Sequence, residues 1–235
     1  MTLKNELQQF ITTLFSPLFP KTCFGCFHIL VPGELVLCTF CRHELPLTHY
    51  HYGLENKMDQ AFYGRVVFKK ASALFYYNSE GILKHCFQFL KYRKQEQIGL
   101  FFGAWHGRIL KLDPAFPKID MVVPVPIHYK KKKKRGYNQL SLYGKTLAGT
   151  IEAHFNEKYL VKTANTKTQT KKNRLLRSHT SLALYQLKEP QQFYHKKILL
   201  IDDIMTTGAT LTSCANAFKD CTGIEIYFAT IAVVR

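Results

Sequence analysis

Two adjacent carboxylates follow an apolar run near the end of this 235-residue chain. Residues 198–201 predict a buried strand, Asp202 and Asp203 come next, and a small-residue turn leads into a helix predicted over 209–219. Hydroxyl donors, a glycine and the free N–H groups of a helix start favour a phosphate. A cationic or hydroxyl-rich group must then separate the acids from that anion, as in a phosphorylated sugar with a metal ion. A helix N-cap would explain only one of the carboxylate and hydroxyl side chains in this segment. The turn contributes Thr206, Thr207, Gly208, Ala209 and Thr210.

A basic tract follows a second apolar run. Pro124 and Pro126 end the strand predicted over 119–125, so the tract leaves the sheet edge and the next helix begins near Asn138. These cations are either solvated or hold phosphates, of a pyrophosphate or of a DNA backbone. Interleaved Tyr129, Tyr137 and Tyr143 suit stacking of single-stranded DNA bases. The tract consists of Lys130, Lys131, Lys132, Lys133, Lys134 and Arg135.

Four cysteines form two C-x2-C pairs separated by eleven residues. This spacing lets two tight turns supply four thiolates to one structural zinc ion, because a closed four-sulfur site leaves no open position for chemistry. A turn at 31–34 between two short strands predicts a zinc ribbon. A redox pair would need only one motif. The predicted ligands are Cys23, Cys26, Cys38 and Cys41.

The elements that position these groups alternate between strand and helix. Such alternation predicts an α/β domain with a mostly parallel, doubly wound sheet, in which ligands bind at the carboxyl ends of the strands. The predicted strands lie at 65–77, 119–125, 159–161, 198–201 and 224–234, and the predicted helices at 80–92, 95–110, 138–155 and 209–219.

The charge of the chain is strongly basic, with 33 Lys or Arg against 16 Asp or Glu and a formal net charge of +17. Residues 128–177 hold fourteen of the cations and two of the acids. This regional excess points to a polyanionic partner. Residues 1–20 predict a short docking helix, and we expect neither a signal peptide nor a membrane span. The expected location is the cytoplasm, where the seven cysteines carry no disulfides.

The segment 198–210 resembles the signature of the type I phosphoribosyltransferases, which bind 5-phosphoribosyl 1-pyrophosphate (PRPP). The resemblance implies that Asp202 and Asp203 face the ribose hydroxyls and that residues 206–210 hold the 5-phosphate, with magnesium bound alongside PRPP.

The chain as a whole resembles the ComF family, which is required for natural transformation. The matching parts are the four-cysteine module, Lys91-Tyr92, residues 123–126, 135–139 and 168–170 with Arg174 and Arg177, and the PRPP loop. The resemblance places Arg135 near the pyrophosphate and makes residues 165–190 a hood over the site. Ser-His-Thr-Ser after Arg177 departs from the family pattern.

These observations predict a docking helix at 1–20, a zinc ribbon and linker at 21–60, and a phosphoribosyltransferase-like domain at 61–235. The predicted role is PRPP and single-stranded DNA binding during DNA uptake, with possible phosphoribosyl transfer and contacts to other competence proteins. Two alternatives stay open: a nucleotide-salvage phosphoribosyltransferase, and a non-catalytic PRPP-sensing protein that binds DNA.

Overall fold

The computed structural model describes residues 20–163 and 184–235. The helices within these ranges are α1 (Thr39–His43), α2 (Lys57–Gln60), α3 (Ile82–Tyr92), α4 (Gln97–Leu112), α5 (Tyr129–Arg135), α6 (Leu140–Thr150) and α7 (Ala209–Ala215). The strands are β1 (Lys70–Tyr77), β2 (Met121–Pro124), β3 (His154–Phe155), β4 (Leu160–Lys162), β5 (Tyr185–Leu187), β6 (Lys197–Met205) and β7 (Glu225–Val234). None of these helices combines the length and the apolar character needed to span a bilayer.

Five strands form one parallel sheet in the order β1-β7-β6-β2-β3. From β2 the chain moves outward to β3, and from β6 it moves in the opposite direction to β7, so the order reverses between β2 and β6. Ligands of open α/β sheets bind at such a switch point, outside the carboxyl ends of the strands. The predicted fold class, a mostly parallel α/β sheet beside a four-cysteine module, is confirmed.

The central strands are covered on both faces. Successive residues of β6 from Ile198 to Ile201 have no exposed surface, as expected of a parallel strand with layers on both sides. β6 runs four residues past its predicted end because its pairing with β7 continues to Met205 opposite Val233. Asp202 and Asp203 therefore lie inside the strand and are themselves buried.

Helix α6 is shorter than predicted. It ends at Thr150, Glu152 adopts a left-handed φ of 60°, and Phe155 joins β3 opposite Val122 of β2. The prediction of one helix over 138–155 is wrong because the apolar residues after the turn pair with the sheet edge.

One further predicted element, the zinc ribbon, differs from the structure, and two others lie largely outside the described residues. The four-cysteine module pairs only Thr22 with Ile29, and residues 35–37 form no strand. The docking helix at 1–20 lies almost wholly outside the described residues, as does most of the hood, of which β5 is described and pairs antiparallel with β4.

Helices α4 and α6 pack closely through glycines. A Cβ on Gly103 would collide with the backbone oxygen of Tyr143 and lie 3.1 Å from the Cβ of Thr146. Backbone atoms cannot move aside cheaply, so this contact fixes how near the two helices lie.

We expect Gly103→Ala to destabilise the fold by about 1–3 kcal/mol, because it overpacks the α4–α6 contact. Gly149→Ala is the matched control, since nothing lies within 4 Å of its added Cβ. The control should raise stability by about 0.5–1 kcal/mol through helix propensity. Urea unfolding measures both changes, and equal effects of the two substitutions would contradict the packing argument.

Candidate functional site

A cleft of about 300 Å³ opens at the switch point between β2 and β6. Its wall combines the β2 turn, the two carboxylates, cationic groups and the β4–β5 pair. The lining residues are Lys91, Tyr92, Val125, Pro126, Ile127, His128, Arg135, Gln139, Lys162, Tyr185, Asp202, Asp203, Ile204 and Thr210.

Asp203 is held by donors from three elements. Its Oδ2 atom lies 2.7 Å from Lys91 Nζ and accepts a hydrogen bond of 3.1 Å from Gln139 Nε2, while its Oδ1 atom accepts from the backbone N–H of Ile204 at 2.7 Å. Arg135 donates in turn to Gln139 Oε1. A carboxylate held by a cation and oriented amide groups has a fixed position at the cleft wall.

Asp202 is the more enclosed acid. Its Oδ1 atom accepts from the backbone N–H of Asp203 at 2.8 Å. Burial, followed by the neighbouring charge of Asp203, raises the pKa of Asp202 to about 8, although the Asp203 N–H and Lys91 favour the charged form. Asp202 therefore binds a proton more readily than an ordinary aspartate.

Residues 206–210, here called the threonine loop, lie next to the acidic pair around a hollow of about 40 Å³. Thr206, Thr207 and Thr210 are exposed, so their hydroxyl groups are available to a ligand. Gly208 has a φ of 73°, and an added Cβ would lie 2.9 Å from the Phe62 ring. Both observations explain why glycine stands there.

The loop is supported by a segment whose role the sequence did not reveal. Arg65 Nη1 donates to the carbonyl oxygen atoms of Thr207 (2.6 Å) and Ala61 (2.9 Å). Phe62 is fully buried under the loop and packs on Phe228 at 4.4 Å between ring centroids. No sequence motif distinguishes these two residues from other aromatic and basic ones.

The basic tract forms the short helix α5. His128 caps its start by accepting from the Lys130 N–H at 3.3 Å, and Gly136 ends it with a φ of 89°. His128 and Arg135 line the cleft, whereas the side chains of Lys130, Lys132 and Lys133 are exposed. Among the described side chains of the tract, only Arg135 therefore reaches the site.

The three tyrosines predicted to stack bases have different environments. Tyr143 is completely buried and bonds to His106 Nδ1 at 2.7 Å, and Tyr137 is partly buried and donates to the Leu90 carbonyl. The prediction that Tyr143 offers a stacking surface is wrong, because it serves the α4–α6 contact. Tyr129 is 65% exposed, and Tyr92, which the sequence reasoning did not assign to stacking, is 75% exposed at the cleft.

The four predicted zinc ligands are close together. All four Sγ atoms lie within 4.8 Å of one another, and those of Cys26 and Cys38 are 3.6 Å apart. Sulfur atoms placed tetrahedrally about 2.3 Å from a zinc ion are about 3.8 Å apart. Backbone N–H groups of Gly25 and Cys38 each donate to Cys23 Sγ at 3.3 Å. The cluster is compatible with a structural metal site.

The four-cysteine module packs on the first long helix. His85 Nδ1 donates to the Gly25 carbonyl at 2.8 Å, and Phe24 lies 5.1 Å from Phe89 between ring centroids. Both His85 and Phe89 belong to α3, whose last turn carries Lys91 and Tyr92. The module thus contacts the helix that supplies the cation on Asp203.

Comparison with curated proteins finds similar chains linked to DNA use. The DNA utilization protein YhgH of Escherichia coli K12 is 28% identical over 96 residues, which cover 41% of this chain and 41% of the relative. Competence protein F of Haemophilus influenzae is 26% identical over 109 residues, covering 45% and 46%. The match spans less than half the length of each relative. These relatives confirm the resemblance to the ComF family, although no family model matches the chain.

Comparison with solved structures finds phosphoribosyltransferases among the similar chains. An adenine phosphoribosyltransferase aligns with a TM-score of 0.39 and 13% identity, over 66% of this chain and 77% of the other. A hypoxanthine phosphoribosyltransferase from Staphylococcus aureus aligns with a TM-score of 0.35 and 15% identity, over 57% and 62%. Similarities at this level carry no inference about substrate.

The raised pKa of Asp202 makes the stability of the fold depend on pH. Between the ordinary pKa of an aspartate and a pKa of about 8, the folded state binds more protons than the unfolded state, so stability falls as pH rises. Asp202→Asn, which resembles the protonated form, should gain stability over the parent progressively from pH 4 to 8. Thermal unfolding at several pH values measures this gain. A gain that does not change with pH would contradict the assignment.

Proposed function

We propose that this chain is a ComF-type protein whose cleft binds PRPP with magnesium and whose basic surface binds single-stranded DNA during DNA uptake. The observation that carries the proposal is the acidic pair at the switch point, with a hydroxyl-lined hollow on one side and cations on the other. This order matches the 5-phosphate, ribose and pyrophosphate of PRPP.

Each part of PRPP then has its own contacts. The 5-phosphate occupies the hollow at 206–210, and the ribose hydroxyls lie against Asp202 and Asp203. The pyrophosphate lies near Arg135 and Lys91, which supply the cations at the cleft wall. Lys130, Lys132 and Lys133 are left for another partner, because their side chains face solvent.

The carboxylate oxygen atoms of this site are ligands of the kind magnesium takes, usually together with water and substrate phosphates. The ion, when bound, would neutralise charge on the pyrophosphate. Asp203 Oδ2 is already paired with Lys91 Nζ and is therefore not free to bind the ion. We assign Asp202 and Asp203 to the ribose hydroxyls and to orientation of the magnesium–PRPP complex.

Phosphoribosyl transfer is the reaction class that this arrangement would serve. A nucleophile would bond to ribose C1 while the C1–O bond to pyrophosphate breaks and the pyrophosphate leaves with the electron pair. Arg135 and Lys91 would stabilise the charge that grows on it. Release of pyrophosphate from PRPP in the presence of an acceptor distinguishes an enzyme from a PRPP-sensing protein.

DNA binding is the second part of the proposal. Helix α5 carries exposed lysines and exposed Tyr129 on the surface beside the cleft, a combination suited to a phosphate backbone with unpaired bases. The names of the relatives, Competence protein F and DNA utilization protein, support a role in competence and in the use of DNA. Other competence proteins are candidate partners.

PRPP binding should depend on the acidic pair and the loop. Asp203→Ala should abolish the ribose contacts, and Thr207→Ala should weaken binding by about 1–3 kcal/mol through a lost hydrogen bond to a charged group. Calorimetry with PRPP and magnesium measures both, and Thr222→Ala, an exposed threonine outside the cleft, is the control. Unchanged PRPP affinity in both variants would sink the assignment.

DNA binding should depend on the outward lysines. Affinity for single-stranded DNA should fall with salt at a log–log slope of about −0.7 per phosphate neutralised. Changing Lys130, Lys132 and Lys133 to Ala should flatten that slope and leave PRPP affinity intact. The control variant changes Lys118, Lys196 and Lys219 to Ala. These lysines are exposed and precede β2, β6 and β7, so they lie at the amino ends of the strands, away from the cleft.

Fluorescence anisotropy with a labelled oligonucleotide measures the DNA affinity. If the α5 variant loses PRPP binding and keeps the salt slope of the parent, the tract serves the pyrophosphate. A parent protein without DNA binding at about 50 mM salt, where counterion release favours association, ends the DNA part of the proposal.

We further propose that the four cysteines hold one structural zinc ion per chain. Cys38→Ser should lose the metal and make the module sensitive to proteases, because metal binding and local folding are coupled. Cys221→Ser, at a buried cysteine outside the cluster, should retain it. Metal analysis by mass spectrometry decides between the two, and full zinc in Cys38→Ser would rule out this ligand set.

A further inference from the structure

Tyr92 is a large aromatic side chain left open to solvent at the mouth of the cleft. It is 75% exposed although its neighbour Lys91 reaches inward to Asp203. The guanidinium carbon of Arg135 lies 5.7 Å from the centroid of the Tyr92 ring. A core role does not explain this tyrosine, because most of its surface contacts nothing in the described chain.

The Tyr92 ring lies beside the network that holds Asp203. Arg135 donates to Gln139, which donates to Asp203, and Lys91 links the end of α3 to the same carboxylate. The Tyr92 ring and the Arg135 guanidinium therefore lie together at the cleft, beside the acidic pair. Aromatic rings and guanidinium planes are the groups on which nucleobases stack.

The cleft then presents three surfaces in one order. The threonine hollow suits a phosphate, the acidic pair suits a sugar diol, and Tyr92 with Arg135 suits a flat ring. A 5′-phosphorylated ribonucleotide has its phosphate, ribose and base in the same order. A small aliphatic amine would leave the Tyr92 surface unused.

We infer that Tyr92 and Arg135 form a nucleobase-stacking subsite at the mouth of the cleft, an inference that rests on the proposed PRPP site. The base belongs either to a mononucleotide bound in the cleft, where no pyrophosphate occupies Arg135, or to a DNA strand that runs along α5. Both sources share one chemistry, a planar heterocycle on an aromatic ring and a guanidinium.

Calorimetry with AMP and with ribose 5-phosphate tests the cleft source, because the two ligands share the phosphate and the diol and differ only in the base. The parent should bind AMP about 5- to 150-fold more tightly, the range for one base on one aromatic side chain. Tyr92→Ala should reduce this ratio to about one without weakening ribose 5-phosphate, and Tyr92→Phe should keep it. Tyr194→Ala, at a tyrosine 41% exposed just before β6, is the matched control.

A single-stranded oligonucleotide carrying 2-aminopurine tests the DNA source, because stacking quenches its fluorescence. Quenching by the parent that disappears in Tyr92→Ala and survives in Tyr92→Phe supports the inference even if the AMP ratio does not change. An unchanged ratio together with unchanged quenching overturns it, as does an equal loss of AMP and ribose 5-phosphate in Tyr92→Ala, since that loss reports displacement of Lys91. A parent that binds neither PRPP nor ribose 5-phosphate overturns the proposed function as well.

Discussion

The ion pair between Lys91 and Asp203 is the interaction on which the site depends. Two adjacent carboxylates inside a central strand would repel each other, and burial would disfavour both charges. Lys91 at 2.7 Å and the amide of Gln139 compensate one of them, and burial raises the pKa of the other, which favours its neutral form. The strand can then extend through the acids without losing its pairing with β7.

The remaining elements hold the partners of this pair. Helix α6 begins just after Gln139, and the close α4–α6 contact at Gly103 fixes where that helix lies. On the other side of the acids, the Phe62 ring packs against Gly208, and Arg65 donates to the Thr207 carbonyl oxygen. The site is therefore built from segments far apart in the chain that meet at one edge of the sheet.

Much of this architecture follows from local sequence pattern. The alternation of the main strands and helices, the acidic pair beside a threonine loop and the clustering of four cysteines were predictable, because apolar runs, small-residue turns and C-x2-C spacing are local signals. The pairing of Phe155 with β2, the burial of Tyr143 and the support from Arg65 were not, since each depends on a contact between distant segments. Tyr92 illustrates the same limit, because its position at the end of an amphipathic helix does not reveal that it faces the cleft.

The segment between the cysteines and β1 is part of the core. Tyr52, Met58 and Phe62 are buried, and Asp59 pairs with Lys70 at 2.6 Å at the start of β1. The Asn56 side chain also donates to the Ala71 carbonyl at 2.9 Å. This stretch therefore packs against β1 at the edge of the sheet as part of the folded core.

This packing determines what a deletion of the segment would do to the protein. Deletion of residues 1–60 would remove Tyr52 and Met58 from the core and Asp59, the partner of Lys70, from the start of β1. It would also remove the contact between Phe24 and Phe89 on α3. Loss of function on deleting the cysteines would then reflect a collapsed cleft as much as a missing metal. Residues 21–60 and the cleft belong to one packed structure, so point substitutions are the informative way to separate their roles.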